Sequence, residues 1–574
     1  MALRKKARKT RTGTGRTGAA AKRKTAPGRT AKAATPDGQA GVIVKDSQRA
    51  SPQGARKVGD VDRAETIEVT LTLRGPKLPT ADELGARTFS TKSFSARFGA
   101  SPRDVDKVSQ VLRELGLKIV GVSPYTRSMR VSGSIAAMEA VFHPDLAMYK
   151  TKDQPSFRDR EGTYKVPASL HGIITAVLGF GERRVAQRKP ARVKKKVAHP
   201  NSPFTPADIE SHYHFPPGDA AGQTIAIAEF GGGYFTSDLT DYCRKFNRPV
   251  PKVKTVSIDK VPIRNRAQIA RLPVNAKSEL DNTGEVMMDV QIVAGLCPAA
   301  KLSVYFAKDS QKGWVDLLDQ VIREKPAALS ISWGAAEDSS GWSKAARNAL
   351  NDRLNVAAAL GITVACAAGD DGSGDMQNTK GAHVDFPSSS PFVLAVGGTM
   401  ITRKDKKFTE QVWRVGKGRR VNGRGGATGG GVSMLYERPK WQDVSIKSVN
   451  KKSIDGRVVP DITALAGPPM YDLVFDGDDD FGGGTSASAP VLAALIARIY
   501  ALLPKNKRRR FLTPLLYRKS PQGTPMGHLV CRDITIGHNT SIPFPGRGYK
   551  ATKGFDAVSG WGTPIGKSLL LALT

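Results

Sequence analysis

The chain has 574 residues, too many for one core, and its 40% hydrophobic content is ample for two or three folded domains. Its net charge of +36, from 88 basic and 52 acidic side chains, favours loose binding to anionic surfaces without specifying a partner. Cys243, Cys297, Cys366 and Cys531 form no CxxC pair, so neither a zinc site nor a disulfide framework is indicated, and no apolar run approaches the ~20 residues that cross a bilayer.

Residues 1–50 carry fourteen basic and two acidic side chains and few large apolar ones, so residues 1–52 are expected to be a disordered tail. The tail begins basic but no apolar signal-peptide core follows, and it lacks the interleaved aromatics of a nucleic-acid binder. Residues 65–73 alternate apolar and polar with period two and predict a strand. Ser101 and Pro102 open a helix through Val105, Val108, Val111 and Leu112. Strands follow at 117–123 and 128–132, and another helix at 134–142. This alternation describes a compact α+β domain over 53–182. Eight basic residues between Arg183 and Lys196 then mark a linker over 183–203, open to proteolysis. From residue 204 to the end, apolar strands at 224–230, 301–306, 328–333 and 363–369 alternate with helical patterns at 285–296, 313–323 and 343–360. That predicts a mostly parallel sheet covered on both faces, with its site at the strands' C-terminal ends.

The chemistry centres on Gly483-Gly484-Thr485-Ser486, placed where the apolar run 491–497 opens a helix. Glycines permit close approach, and a helix start supplies free N–H groups and a positive dipole end, a sound place for a serine nucleophile. Taken alone, Thr485 or Ser486 reads more readily as a simple helix cap than as a nucleophile. Glu285 and Asp289 sit four apart on one helical face, where like charges cost ~0.2–0.5 kcal/mol. Close carboxylates tend to hold one proton between them, which leaves one group able to act as a base. Asp370 ends a strand among glycines, either as a turn former or as a protonated donor to a developing oxyanion. A histidine base is disfavoured: none of the eight histidines lies on the Glu285 helix, no His-Gly-Thr sequence occurs, and the end of the first large-domain strand holds Glu229.

The region from about 203 onward resembles the sedolisin, or serine-carboxyl peptidase, family, and most closely its kumamolisin-like members. The resemblance rests on Gly-Gly-Thr-Ser-Ala-Ser-Ala-Pro at 483–490, Gly-Glu-x-x-x-Asp at 284–289, Ser-Ile-Ser-Trp-Gly at 330–334 and Ala-Ala-Gly-Asp at 367–370. Glu-x-Gly-Gly-Gly-Tyr at 229–234, His-Val-Asp-Phe-Pro at 383–387 and Thr-Gly-Gly-Gly-Val-Ser at 428–433 join them. Residues 53–182 resemble the family's activation prodomain.

The resemblance implies a subtilisin-like α/β catalytic domain behind a ferredoxin-like α+β prodomain, and a secreted, monomeric endopeptidase zymogen active at acidic pH. Ser486 would be the nucleophile, Glu285 its base, Asp289 the acid orienting Glu285, and Asp370 the oxyanion contact. Glu229 and Trp333 would extend the carboxylate network. Asp370 donates only while protonated, so activity should fall as pH rises. Ser332, Gly334 and Asp385 would line the substrate pocket, Asp385 favouring basic side chains. One structural Ca²⁺ would be held by Asp533, Asp556 and the carbonyls of Ile534, Thr552 and Gly554, with Thr552 standing where close relatives have glycine. Protein and peptide substrates and the chain's own prodomain, as an intramolecular inhibitor, are the implied partners, with self-cleavage in 183–203. The competing class is a catalytically idle homologue that binds through its basic tail; the intact Ser486, Glu285, Asp289 and Asp370 set argues against it.

Overall fold

The computed structural model describes residues 41–186 and 202–574, apart from 53, 86, 153, 274–276, 405–406, 422–423, 452 and 509. Around the site runs a sheet of eight strands. Seven follow the spatial order 252–257, 301–306, 224–229, 328–331, 363–367, 394–404 and 407–412, and 462–465 also pairs with 394–404. All these pairings are parallel except the last in the row, 394–404 with 407–412. The inner strands 224–229, 301–306, 328–331 and 363–367 are short, largely apolar runs because helices cover both faces, which removes the reason for polar alternation, whereas the end strands 252–257 and 407–412 carry charged residues. Lys277–Leu296 and Thr485–Leu502 pack together on one side, and Gln311–Glu324 and Lys344–Ala359 pack together on the other. Ser310 and Ser343 cap the latter two by accepting the N–H of Gly313 and Ala346. The helix Thr485–Leu502 is long and apolar enough to cross a membrane, yet every residue from Thr485 to Tyr500 is buried in the core.

The N-terminal domain has a four-stranded antiparallel sheet in the order 118–123, 128–134, 66–73, 174–178. With helices Pro102–Glu114 and Ile135–Phe142 between strands, the chain order is βαββαβ, the ferredoxin-like arrangement. Period two decides what each face does. Ile67, Val69, Leu71 and Leu73 fill this domain's core. Glu68, Thr70 and Thr72 point the other way, onto the catalytic domain's helices. There Thr70 Oγ1 donates to Asp316 Oδ1 (2.7 Å), Lys312 Nζ lies 3.4 Å from Glu68, and Arg353 Nη1 donates to Thr72 Oγ1 (3.2 Å).

Two boundaries differ from the sequence reading. The expected disordered tail reached residue 52, but Gly41–Ile43 forms a strand antiparallel to Lys165–Pro167. The apolar run Val42–Val44 explains it: Val44 buries into the N-terminal core, and Arg49 pairs with Asp159 at 3.2 Å. The linker was expected from 183, but residues 183–186 are tied down. Arg183 Nε donates to Asp159 Oδ2 (2.6 Å), and the N–H groups of Val185 and Ala186 donate to Asp309 Oδ1 (3.3 and 3.1 Å). Burial, opposed by the hydrogen bonds it accepts, pushes the Asp309 carboxyl up to about 6. Residues 187–201, the remaining part expected to hold the processing bond, and tail residues 1–40 lie outside the described residues.

Candidate active site

Ser486 is the second residue of the helix Thr485–Leu502, fully buried, at the end where backbone N–H groups lack intrahelical partners. Gly484, just before it, has φ +92°. A Cβ there would stand 2.6 Å from Asp370 Oδ2, so both the backbone conformation and the approach of Asp370 require glycine. Asp370 ends the approach from the strand Thr363–Ala367. Its Oδ1 accepts from Thr485 N–H and Thr485 Oγ1, both at 2.8 Å. Thr485 Oγ1 also accepts from Gly369 N–H at 3.2 Å, so Thr485 locks the carboxyl to the strand end on which it sits.

Glu285 and Asp289 lie on the buried face of the helix Lys277–Leu296, which packs on the Ser486 helix. Ser332 Oγ stands 2.5 Å from Asp289 Oδ2 and 3.0 Å from the Ser486 carbonyl, joining the helix of Asp289 to the backbone of Ser486. Beyond Ser332, Trp333 Nε1 donates to Glu229 Oε2 at 3.0 Å. Glu229 is the last residue of the central strand Thr224–Glu229 and has no exposed surface. Burying so many carboxylates at strand and helix ends costs stability unless each is held by donors, and cost borne at one place points to function.

A narrow cavity of about 20 Å³ beside Thr485 is lined by Ser332, Trp333, Gly334, Asp370, Asp375 and Asp385, among others. Asp385 leans against Gly334, where a Cβ would meet its Oδ1 at 1.9 Å. Asp375 Oδ2 is buried without a hydrogen-bond partner among the described residues, and burial together with the neighbouring Asp371 pushes its carboxyl up. Close by, Glu337 accepts from Met434 N–H (2.6 Å) and Ser433 Oγ (2.7 Å), and burial drives its carboxyl up to about 7 despite them. Asp371, Asp375 and Arg420 were not singled out in the sequence. Arg420 lies fifty positions from Asp370 in a basic stretch that reads as solvated surface, and no spacing rule joins the two.

Asp533, Ile534, Thr552, Gly554 and Asp556 come together near the C-terminus. Asp533 Oδ2 accepts from Gly554 N–H (2.7 Å), and Asp556 Oδ2 accepts from Thr552 N–H (2.9 Å). Asp533 Oδ1 is buried with no hydrogen-bond partner among the described residues, and burial raises the Asp556 carboxyl to about 6. Another carboxylate cluster, Glu68, Asp259 and Asp316, already encloses a cation, because Lys312 Nζ contacts all three.

Residues 53–183 match the Pro-kumamolisin activation domain, and residues 275–561 match the subtilase family. Kumamolisin of Bacillus sp. (strain MN-32) is 35% identical over 93% of this chain and 96% of its own length. Sedolisin of Pseudomonas sp. (strain 101) is 26% identical, covering 82% of this chain and 79% of the relative. Tripeptidyl-peptidase 1 of Homo sapiens is 28% identical, covering 64% of each. The solved structure of Pseudomonas sedolisin, complexed with two molecules of pseudo-iodotyrostatin, superposes with a TM-score of 0.54 at 23% identity, covering 65% of this chain and 98% of that one. It shares the subtilisin-like fold. The match to kumamolisin runs through both domains, so the chain is a serine peptidase of the sedolisin family, carrying that family's N-terminal activation domain.

Proposed function

We propose that the chain is a self-processing zymogen of an endopeptidase that cleaves peptide bonds at acidic pH through Ser486, Glu285 and Asp289, with Asp370 on the oxyanion side. The observation that carries this reading is the convergence on one helix start. Asp370 is clamped to Thr485 and faces Gly484, and Ser332 bridges Asp289 to the Ser486 carbonyl.

In this reading Glu285 takes the proton of Ser486 Oγ as Oγ adds to the scissile carbonyl carbon, and Asp289 orients Glu285. The carbonyl oxygen becomes an oxyanion that a protonated Asp370 stabilises by donating a hydrogen bond. Collapse breaks the C–N bond, the leaving amine takes the proton from Glu285, and an acyl ester remains on Ser486. Water, deprotonated by Glu285, then hydrolyses the ester and restores the serine. A carboxylate base has a far lower reference pKa than imidazole, which suits acid conditions. The Glu229–Trp333 pair extends the same buried network, and Asp385 with Ser332 and Gly334 shapes the adjoining pocket.

The domain limits proposed are a tail to about residue 40, a prodomain to about residue 186, a junction from there to 203 and a catalytic domain from 204. The prodomain would act as an intramolecular inhibitor until the junction is cut, with a monomeric, extracellular enzyme inferred from the family alone. A structural Ca²⁺ fits the C-terminal loops. Asp533 Oδ1 lacks a hydrogen-bond partner among the described residues, and hard carboxylate and carbonyl oxygens are the donors Ca²⁺ takes. Asp533, Asp556 and the carbonyls of Ile534, Thr552 and Gly554 would hold it, and its charge would offset the buried carboxylate of Asp556 and the half-buried one of Asp533.

The test compares wild type with Ser486→Ala at pH ~4, in the carboxylate titration range. Wild type should shorten by the prodomain and hydrolyse an internally quenched peptide, and Ser486→Ala should do neither. Equal shortening of both would refute self-processing by Ser486.

A further inference from the structure

The strands Arg414–Val421 and Arg424–Ala427 form a hairpin with an irregular register. Val415 pairs with Gly426 and Arg420 with Gly425, so residues 416–419 are looped out opposite two consecutive partners. Such a bulge re-aims the side chain that follows it. Here it turns Arg420 inward, where Nη2 donates to Asp371 Oδ2 at 2.5 Å, and leaves the rest of the hairpin's charge outside. Two other segments pack against the hairpin: 372–381, which follows Asp371, and 536–550 near the C-terminus. Ile542 N–H donates to Lys417 O (2.9 Å), Arg414 Nε to Thr540 O (3.1 Å) and Arg547 Nη2 to Lys380 O (2.9 Å). Ser541 Oγ lies 3.0 Å from Gly418 O and 2.5 Å from Asp371 O, and Ala427 N–H donates to Asp370 O at 3.0 Å. The three segments form one surface, fastened to the loop that carries Asp370.

That surface is one-sided in charge. Its segments carry eight basic residues and a single acid, Asp375, which is buried. Arg420 is spent on Asp370 and Asp371. Lys380, Lys417, Arg424, Arg547 and Lys550 are exposed, and none of them forms an ion pair among the described residues. His538 lies in the resulting field: burial, and then Arg414 and Lys550 beside it, hold its imidazole below the ordinary histidine pKa. The same segments also expose apolar groups. Met376, Val415, Val421, Ile536, Ile542 and Phe544 are six of the sixteen exposed large hydrophobic side chains among the described residues. Unpaired cations interspersed with exposed apolar groups mark a surface that meets a partner rather than water alone.

We propose that this surface is an exosite for substrate: it binds a stretch of a protein substrate that mixes acidic with apolar residues and lies outside the peptide bond being cut. The proposal deepens the peptidase reading and rests on it. Charge complementarity selects an acidic partner. The apolar side chains select protein over nucleic acid, because Ile, Val and Met offer no π-face on which a base could stack. Position selects a substrate over an unrelated partner. The hairpin bonds to the Asp370 loop, so a polypeptide held in the cleft extends onto a surface fastened to that same loop. Contacts made there hold the substrate without touching the reacting atoms, and they are the same before and during the reaction. They therefore lower KM and leave kcat alone.

The experiment takes enzyme processed at pH ~4 and measures KM and kcat at pH ~5.5, where Glu side chains are ionised. Internally quenched peptides share one cleavable core and carry, on the amino or the carboxyl side, an extension of Glu and Leu or of Gln and Leu. An exposed charge pair is worth about 1.4- to 5-fold. Several together should give one Glu extension a KM about tenfold below its Gln counterpart at ~20 mM salt, shrinking to under about threefold at ~0.5 M. The combined variant Lys380→Gln, Lys417→Gln, Arg424→Gln, Lys550→Gln should lose that preference, and Lys417→Arg with Lys550→Arg should keep it. All four side chains are exposed, so the fold is spared. A wild-type preference under about twofold for both Glu extensions, or one that the combined variant retains, would overturn the proposal. The Ser486→Ala chain is also titrated with anionic phospholipid vesicles and with single-stranded DNA. Binding of either that the four substitutions abolish, without a peptide preference in wild type, would assign the surface to that partner instead. Turnover by Ser486→Ala would refute the site itself, whereas a dead Ser486→Ala with equal Glu and Gln peptides refutes only the exosite.

Discussion

Arg353 offers a quantitative test of how the prodomain is held. It lies on the helix Lys344–Ala359, has no exposed surface, and reaches across the seam to the N-terminal sheet. Its Nη2 donates to Ser128 Oγ (2.7 Å), its Nη1 to Thr72 Oγ1 (3.2 Å), and its Nε to Asp319 Oδ1 (3.2 Å) in its own domain. Arg353→Met keeps most of the side-chain volume but leaves Asp319 buried without its cation. Breaking a buried pair from one side costs about 3–5 kcal/mol, or roughly a hundred- to several-thousandfold in an equilibrium constant. A reporter is built into the seam: Phe89 N–H donates to the Ala359 carbonyl at 2.8 Å. Its hydrogen exchange should require the two domains to part. In a Ser486→Ala background, Arg353→Met should speed exchange of the Phe89 amide by that factor, and Arg353→Met with Asp319→Leu should recover part of it, because no charge is then left unpaired. Acceleration under about tenfold in the single variant would show that the seam is held by its apolar contacts rather than by Arg353.

Stability should depend on pH with a definite sign. Glu337 has its carboxyl raised by burial from an ordinary 4.5 to about 7, so the stability it contributes is complete below about 4.5 and is lost as pH rises through about 7. At ~1.4 kcal/mol per unit this amounts to ~3 kcal/mol. Denaturant midpoints of the Ser486→Ala chain should therefore fall from pH ~4.5 to ~7, and Glu337→Gln should flatten that fall; an unchanged slope would refute the assignment. Removing Ca²⁺ with a chelator should lower the melting temperature of the Ser486→Ala chain, and Asp533→Asn should abolish the difference, whereas equal chelator effects in both would place the ion elsewhere. Asp385→Asn should reduce cleavage of Arg-containing peptides more than Leu-containing ones; identical losses would mean that Asp385 supports the backbone at Gly334 and does not read the substrate.

Much of the architecture was legible because local patterns carried it. The period-two run over 65–73 appears as the strand Thr66–Leu73, and the pattern over 343–360 as the helix Lys344–Ala359. The unmixed apolar strands correctly implied a sheet covered on both faces. The start of the folded part was misplaced for an equally physical reason: Val42–Val44 is too short to register against fourteen basic neighbours, and its strand exists only because Lys165–Pro167 offers an edge. Similarly, Arg183 and Arg184 read as part of a solvated basic run, and only the partner carboxylates Asp159 and Asp309 reveal that its first residues are anchored.

The site divides along the same line. Ser486, Glu285, Asp289 and Asp370 stood out because each breaks a local rule: a hydroxyl among glycines at an apolar helix start, like charges four apart on a buried face, an acid at a strand end. Arg420 breaks no rule. Arginine in a glycine-rich hairpin is unremarkable until a four-residue loop-out turns it inward and Asp371, adjacent to Asp370, receives it. Pairings of that kind depend on two loops meeting in space, and loop–loop contacts have no sequence period. It follows that residues breaking a local rule can be read from sequence, whereas those brought in by a loop–loop contact cannot.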